Sequence, residues 1–190
     1  LCFFDYGFRH FWTAKAPIVE PRDLRGKKIR VQQAKVFGDT INGLGGNAVP
    51  MAWGETFTAV QQGTIDGLEI PLAVIDQNKY FEVTKYLSLT NHTYSAIPLL
   101  ISKRAFDRMP DDLKKAVLDA GTSATKAQRV VSEQVNASLV KSLEGKGMKV
   151  NRISDAAAFR KQLEGVYDKV RTTTDAEIMQ EALAAVQQRK

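Results

Sequence analysis

Cysteine is almost absent from this chain. Cys2 is the only one among 190 residues, so no intrachain disulfide can form. Histidine is nearly as scarce, with His10 and His92 alone. One thiol and two imidazoles leave little from which to build a transition-metal site, and none is expected. No apolar run approaches the ~18–20 residues that a membrane-crossing helix requires. Also missing are the glycine-flanked serine elbow, the phosphate-cradling glycine loop, the paired-histidine zinc helix and the dinucleotide fingerprint. Ser95 has Tyr94 and Ala96 beside it instead of elbow glycines, and His92 has no nucleophile near it in sequence. No catalytic residue and no cofactor are expected.

Charge of one sign does not dominate either. Lys and Arg number 27 against 21 acidic residues, a net charge of +6. The densest basic run, Arg22, Arg25, Lys27, Lys28 and Arg30, is interrupted by Asp23. No basic block carries interleaved aromatics, so a nucleic-acid partner is not expected. Apolar residues at 44% supply a core, and 25% charged residues is ordinary for a globular chain.

What is present is an alternation of short elements. Leu1-Cys2-Phe3-Phe4 reads as a buried strand, with Cys2 a small hydrophobe inside it. That strand has no upstream neighbour to pair with, and the expectation is a chain lacking its N-terminal part. Strands follow at 28–32, 48–51 and 68–70, with helices near 37–44 and 55–62 between them. Pro71 opens a helix running to about Glu82. Strands are expected at 86–93 and 97–102. Pro110, Asp111 and Asp112 then start a long helix with two carboxylates at the positive end of its dipole. Its apolar positions are Leu113, Ala116, Val117, Ala120, Ala124, Ala127, Val131, Val135, Leu139 and Leu143, and Gly145 and Gly147 end it. At ~1.5 Å per residue it spans ~50 Å, more than one small domain. A last strand at 149–153 and helices near 156–162 and 176–188 complete an α/β pattern.

Five stretches, in order, carry a resemblance. They are Lys28-Ile29-Arg30-Val31-Gln32, then Pro50-Met51-Ala52-Trp53-Gly54-Glu55, then 61–71 (QQGTIDGLEIP), then 80–92 (YFEVTKYLSLTNH), and finally 104–117. Together they resemble the solute-binding receptors of tripartite ATP-independent periplasmic (TRAP) transporters, from about Gly7 to Gly147. The resemblance implies a periplasmic-binding-protein-like, two-lobed α/β fold with a long inter-lobe helix and an incomplete first lobe. Residues 7–95 and 135–190 would form the second lobe, and 1–6 and 96–134 the remaining part of the first. The function implied is periplasmic capture of an organic acid, delivered unchanged to the membrane permease subunits of a TRAP transporter. Two alternatives stay open: a ligand-sensing module of a signalling protein, and an α/β enzyme using His92 and Glu69 as acid–base groups.

The resemblance also implies a site. Arg30 matches the arginine that clamps the ligand carboxylate, a task suited to a planar guanidinium with two parallel donors; otherwise it is a surface arginine at a strand edge. Arg9 resembles a second ligand arginine. Trp53 would pack on the ligand or sit half-buried in the core. Glu69 would accept bonds from ligand hydroxyls or cap the following helix. His92 and Asn91 would touch the ligand or the inter-lobe crossing, and Gln33 follows the clamp strand. Ile70 departs from the family pattern, which has asparagine between Glu69 and Pro71. It points to an acid with a hydrophobic portion, unless Ile70 faces the core.

Overall fold

The computed structural model describes residues 1–187. The expected helix end at Gln188 and the last three residues of the 135–190 segment lie outside them. A single six-stranded mixed sheet organises the chain. Its strands are β1 (Cys2–Thr13), β2 (Lys28–Val31), β3 (Asn47–Pro50), β4 (Gly67–Pro71), β5 (Tyr86–Leu99) and β6 (Lys149–Arg152), in the spatial order β3-β2-β4-β1-β5-β6. Helices α1 (Lys35–Gly43) and α2 (Trp53–Gln61) make the two crossovers that keep β2, β3 and β4 parallel. After β4 come α3 (Leu72–Gln77), α4 (Lys103–Asp107), α5 (Asp111–Gly145), α6 (Ala156–Gln162), α7 (Glu164–Thr173) and α8 (Ala176–Gln187).

Side chains alternate across each strand, and this separates two cores. Trp12, Leu68 and Ile70 face one layer with α2, α3 and the end of α5. Phe11, Ile29 and Val31 face the other, with α1, α6 and α7. β4 is central and fully buried, which is why it reads as an unbroken apolar run around Glu69. At its start Gly67 meets β1 so closely that a Cβ would lie 2.1 Å from the Trp12 carbonyl oxygen. Only glycine fits there.

The N-terminal strand departs from expectation. It is twelve residues long, Leu1 and Phe3 are exposed, and its partner is downstream: Cys2 to Arg9 pair with Leu99 to Thr93 of β5. β5 is correspondingly one strand of 14 residues where two were expected, because β1 supplies partners straight through Tyr94, Ser95 and Ala96. The two strands slip register between Asp5 and Gly7 and again between Arg9 and Phe11, with Gly7 at φ +100° and Asn91 at φ +47°. Such bulges bend a ribbon. β4 pairs only with Arg9–Thr13, so Cys2–Phe8 is paired on one side alone among the described residues.

Two helices also differ. The helix expected from Pro71 to Glu82 stops at Gln77, because Lys79 turns left-handed (φ +56°) and a 3₁₀ turn at Tyr80–Glu82 follows. Pro71 itself ends β4 and stands just before the helix, not in its first turn. In α5 the side facing the β1–β5 ribbon is polar. Gln128 Nε2 donates to the Asp5 carbonyl (2.7 Å), and Ser132 Oγ donates to the Asp5 carboxylate (2.5 Å). Gly121 lets the helix lie against Leu1 and Cys2. The apolar stripe Leu113, Ala116, Ala120, Ala124, Ala127, Val131 and Val135 is instead exposed until Leu139 and Leu143 reach the core. The short helices α4 and α7 were not legible in the sequence.

Candidate ligand-binding site

The parallel strands β2, β3 and β4 end together at Val31, Pro50 and Pro71. The carboxyl edge of such strands is where an α/β sheet forms its ligand crevice. Here it holds two adjacent cavities that share Tyr6 and Gln32. One, of about 340 Å³, reaches Arg30, Trp53 and Ile70. The other, of about 490 Å³, reaches Arg9 and Phe37.

Arg30 is buried yet reaches the first of these cavities. It is 4% exposed and sits on β2 opposite Leu68 of β4. Its Nε and Nη2 donate to the Met51 carbonyl at 3.0 and 2.8 Å, and its guanidinium lies 5.4 Å from the Trp53 ring centre. These contacts fix the plane of the fork. Its Nη1 is buried and has no hydrogen-bond partner in the protein. A guanidinium carries five N–H donors, so with Met51 on the Nε edge the Nη1–Nη2 end can take both oxygens of a carboxylate. Burial pushes the Arg30 pKa down, against the opposing field of Glu69. The Tyr6 hydroxyl, raised by burial, is drawn the other way by Arg9 and Arg30. Among the described residues, Arg30 is the one charged residue lining the cavity it shares with Trp53.

Arg9 lies on the other face of the sheet, 4.8 Å from the Phe37 ring centre. It is 1% exposed and engaged with Glu69: Nε bonds Oε2, while Nη2 donates to Oε1 (2.8 Å) and to the Glu69 carbonyl (2.7 Å). His92 Nε2 approaches the same carboxylate at 3.4 Å, its Nδ1 meets Thr90 Oγ1 at 2.7 Å, and its ring stacks on Phe11 at 4.5 Å. Burial opposes the Glu69 charge, but the nearby His92 ring and the Arg9 guanidinium outweigh it and hold the carboxyl below its usual range. Glu69 therefore neither caps α3 nor opens to the Arg30 cleft; it anchors Arg9 and His92. His92 thus sits between the Glu69 carboxylate and the Thr90 hydroxyl in this network.

The structure thus brings Arg30, Trp53 and Ile70 to one cavity and Arg9 to its neighbour. Gln33 is exposed and lines neither; Gln32, one residue earlier, lines both. Asn91 and His92 line a third cavity of about 350 Å³ behind the sheet, with Arg152 and Tyr167. Ile70 is both core and cavity floor, at 2% exposure. Tyr6, Gln32, Val74 and Gln77 were missed. The bulge at Asp5/Gly7 hides the strand alternation that would have aimed Tyr6, and α3 gives no polar motif. Among the described residues no cluster of His, Cys, Asp and Glu could hold a metal ion, and no helix is long and apolar enough to cross a membrane.

A buried guanidinium fork thus opens on a cleft at the sheet's carboxyl edge, a geometry chemically suited to an anion. Residues 1–173 match the family described as bacterial extracellular solute-binding protein, family 7, and the chain belongs to that family. A solute-binding protein of Verminephrobacter eiseniae is 40% identical over 159 residues, covering 84% of this chain and 48% of the relative. Among solved structures, a TRAP periplasmic solute-binding protein of a Polaromonas species, bound to D-erythronate, is 38% identical with TM-score 0.86, covering 92% of this chain and 58% of that one. Another from a Sulfitobacter species, with bound β-D-galacturonate, is 34% identical with TM-score 0.87, covering 92% and 58%. The α/β fold is thus that of the two-lobed TRAP receptors, and this chain spans about half the length of the relatives it matches.

Proposed function

We propose that the native protein is an extracytoplasmic receptor that binds an organic acid by its carboxylate and hands it, unchanged, to the permease of a TRAP-type membrane transporter. One observation carries this reading: the buried, oriented Arg30 guanidinium with Nη1 unpartnered at the mouth of a cleft. A buried cationic donor without a partner is costly unless something completes it, and a carboxylate completes it. Family membership and ligand-bound relatives described as periplasmic support the same conclusion.

The lobe division belongs to this proposal. Residues 7–95 and 135–190 would form one lobe, and 1–6 and 96–134 would belong to the other. Support comes from the register slip between Asp5 and Gly7, where Asp5 pairs with Ala96 and Gly7 with Ser95, so that both strands bend at the proposed boundary. Hinge closure around a ligand uses such points. The test is recovery of the ligand. Native mass spectrometry of the protein purified without denaturation should show a bound small acid, and the same acid, unaltered, should be released on unfolding. Recovery of a converted product would point to an enzyme.

A further inference from the structure

The wall of the Arg30 cleft mixes polar groups with an apolar patch. Tyr6, Gln32, Gln77 and Asn78 bring polar groups to it, while Ile70 and Val74, with the Trp53 ring, form an apolar patch. Neither Ile70 nor Val74 has a side-chain donor or acceptor to offer. Both are held in place. Ile70 lies in register with His10 between β4 and β1, and its carbonyl accepts a 2.8 Å bond from Trp12 Nε1. Val74 packs on the same core from α3, and its carbonyl accepts from Asn78 Nδ2 at 2.8 Å. The Ile70 and Val74 side chains are therefore fixed features of the cleft wall.

With a carboxylate on Arg30, the next carbons of the ligand come against this wall. A hydroxyl turned towards Ile70 and Val74 would lose its water and find no partner, whereas a methyl group there is removed from water at a gain. Building on the receptor reading above, we infer that the ligand is a monocarboxylate with a branched aliphatic substituent close to its carboxylate. The substituent lies against Ile70 and Val74, and a keto or hydroxyl group, if present, faces Tyr6 and Gln32.

Isothermal titration calorimetry on the native full-length protein tests this with 3-methyl-2-oxobutanoate, D-erythronate and D-glucuronate as probes. The branched acid should bind wild type at least about tenfold tighter than either sugar acid, the penalty for burying one hydroxyl without a hydrogen-bond partner. Val74→Thr keeps the side-chain shape at a half-buried position and adds a hydroxyl, so it should fold and should narrow that gap. Ile70→Asn should narrow it further. A sugar acid that binds wild type as tightly as the branched acid overturns the inference, and so does a preference that neither substitution moves. If the preferred ligand is a sugar acid and Arg30→Ala abolishes its binding, the inference alone falls and the receptor reading stands. If folded wild type binds no acid in the panel, the inference falls and the receptor reading loses its support with it.

Discussion

Glu69 is buried with its charge, and desolvating a carboxylate costs several kcal/mol. The Arg9 fork and His92 compensate. Removing the charge strands Arg9, so Glu69→Gln should cost about 3–5 kcal/mol in urea unfolding; a loss below about 1 kcal/mol would contradict the network. Its carboxyl titrates below the ordinary 4.5 when folded. The stability it contributes is therefore present above pH ~4.5 and lost as pH falls through the lower folded value. His10 acts at higher pH. Burial first, and the charge of His92 second, lower its pKa from 6.5 to about 3. The unfolded chain binds a proton near pH 6.5 that the folded chain refuses until about pH 3. Stability from neutral His10 is complete above pH 6.5 and declines below it, by up to about 1.4 kcal/mol per pH unit. Unfolding between pH 6.5 and 5, above the carboxylate range, should show this slope in wild type and a flatter one in His10→Asn. Equal slopes would remove His10 as the cause.

At the scale of elements, β4 rests on one close approach. Gly67→Ala would drive a methyl into the Trp12 carbonyl and force β1 and β4 apart. The expected loss is about 3 kcal/mol, the upper end for overpacking, and thermal unfolding that shifts by less than a degree would contradict it. The elements legible in the sequence were those carrying a local signal. The Gly- and Pro-bounded apolar runs of β2, β3 and β4 were found within a residue or two, as were the start of α5 at Pro110-Asp111-Asp112 and its end at Gly145. Those missed depend on partners distant in sequence. β5 runs through Tyr94–Ala96 because β1 lies beside it, and no local pattern announces that. The apolar stripe of α5 faces out because Gln128 and Ser132 bond Asp5, more than 120 residues away. The site divides in the same way. Arg30 and Trp53 lie in readable motifs, whereas Tyr6 is aimed by a bulge and Glu69 is claimed by Arg9, 60 residues earlier.

Across the whole molecule, large apolar side chains stay exposed on the β1–β5 ribbon and on α5. Phe3, Ile97 and Leu99 of the ribbon are exposed, together with Leu113, Val131 and Val135 of α5. The relatives matched are about twice as long as this chain. Patches of this kind mark surfaces meant to be covered, and the one-sided edge of Cys2–Phe8 is a template for further pairing. Residues 1–190 produced alone should therefore self-associate in sedimentation at micromolar concentration, and Val131→Glu with Val135→Lys should reduce it. A monodisperse, cooperatively folding 1–190 that binds an acid at micromolar strength would contradict this picture.

The central claim is that Arg30 holds a carboxylate with the Nη1–Nη2 end of a fork whose other edge is tied to Met51. An ammonium cannot hold the Met51 carbonyl and both carboxylate oxygens in that plane. Calorimetry on the native full-length protein with the acid recovered from it tests this most directly. Arg30→Lys should lose nearly as much affinity as Arg30→Ala, about 2–5 kcal/mol, with folding intact in both. Near-normal affinity in Arg30→Lys would show that charge alone suffices and would contradict the clamp.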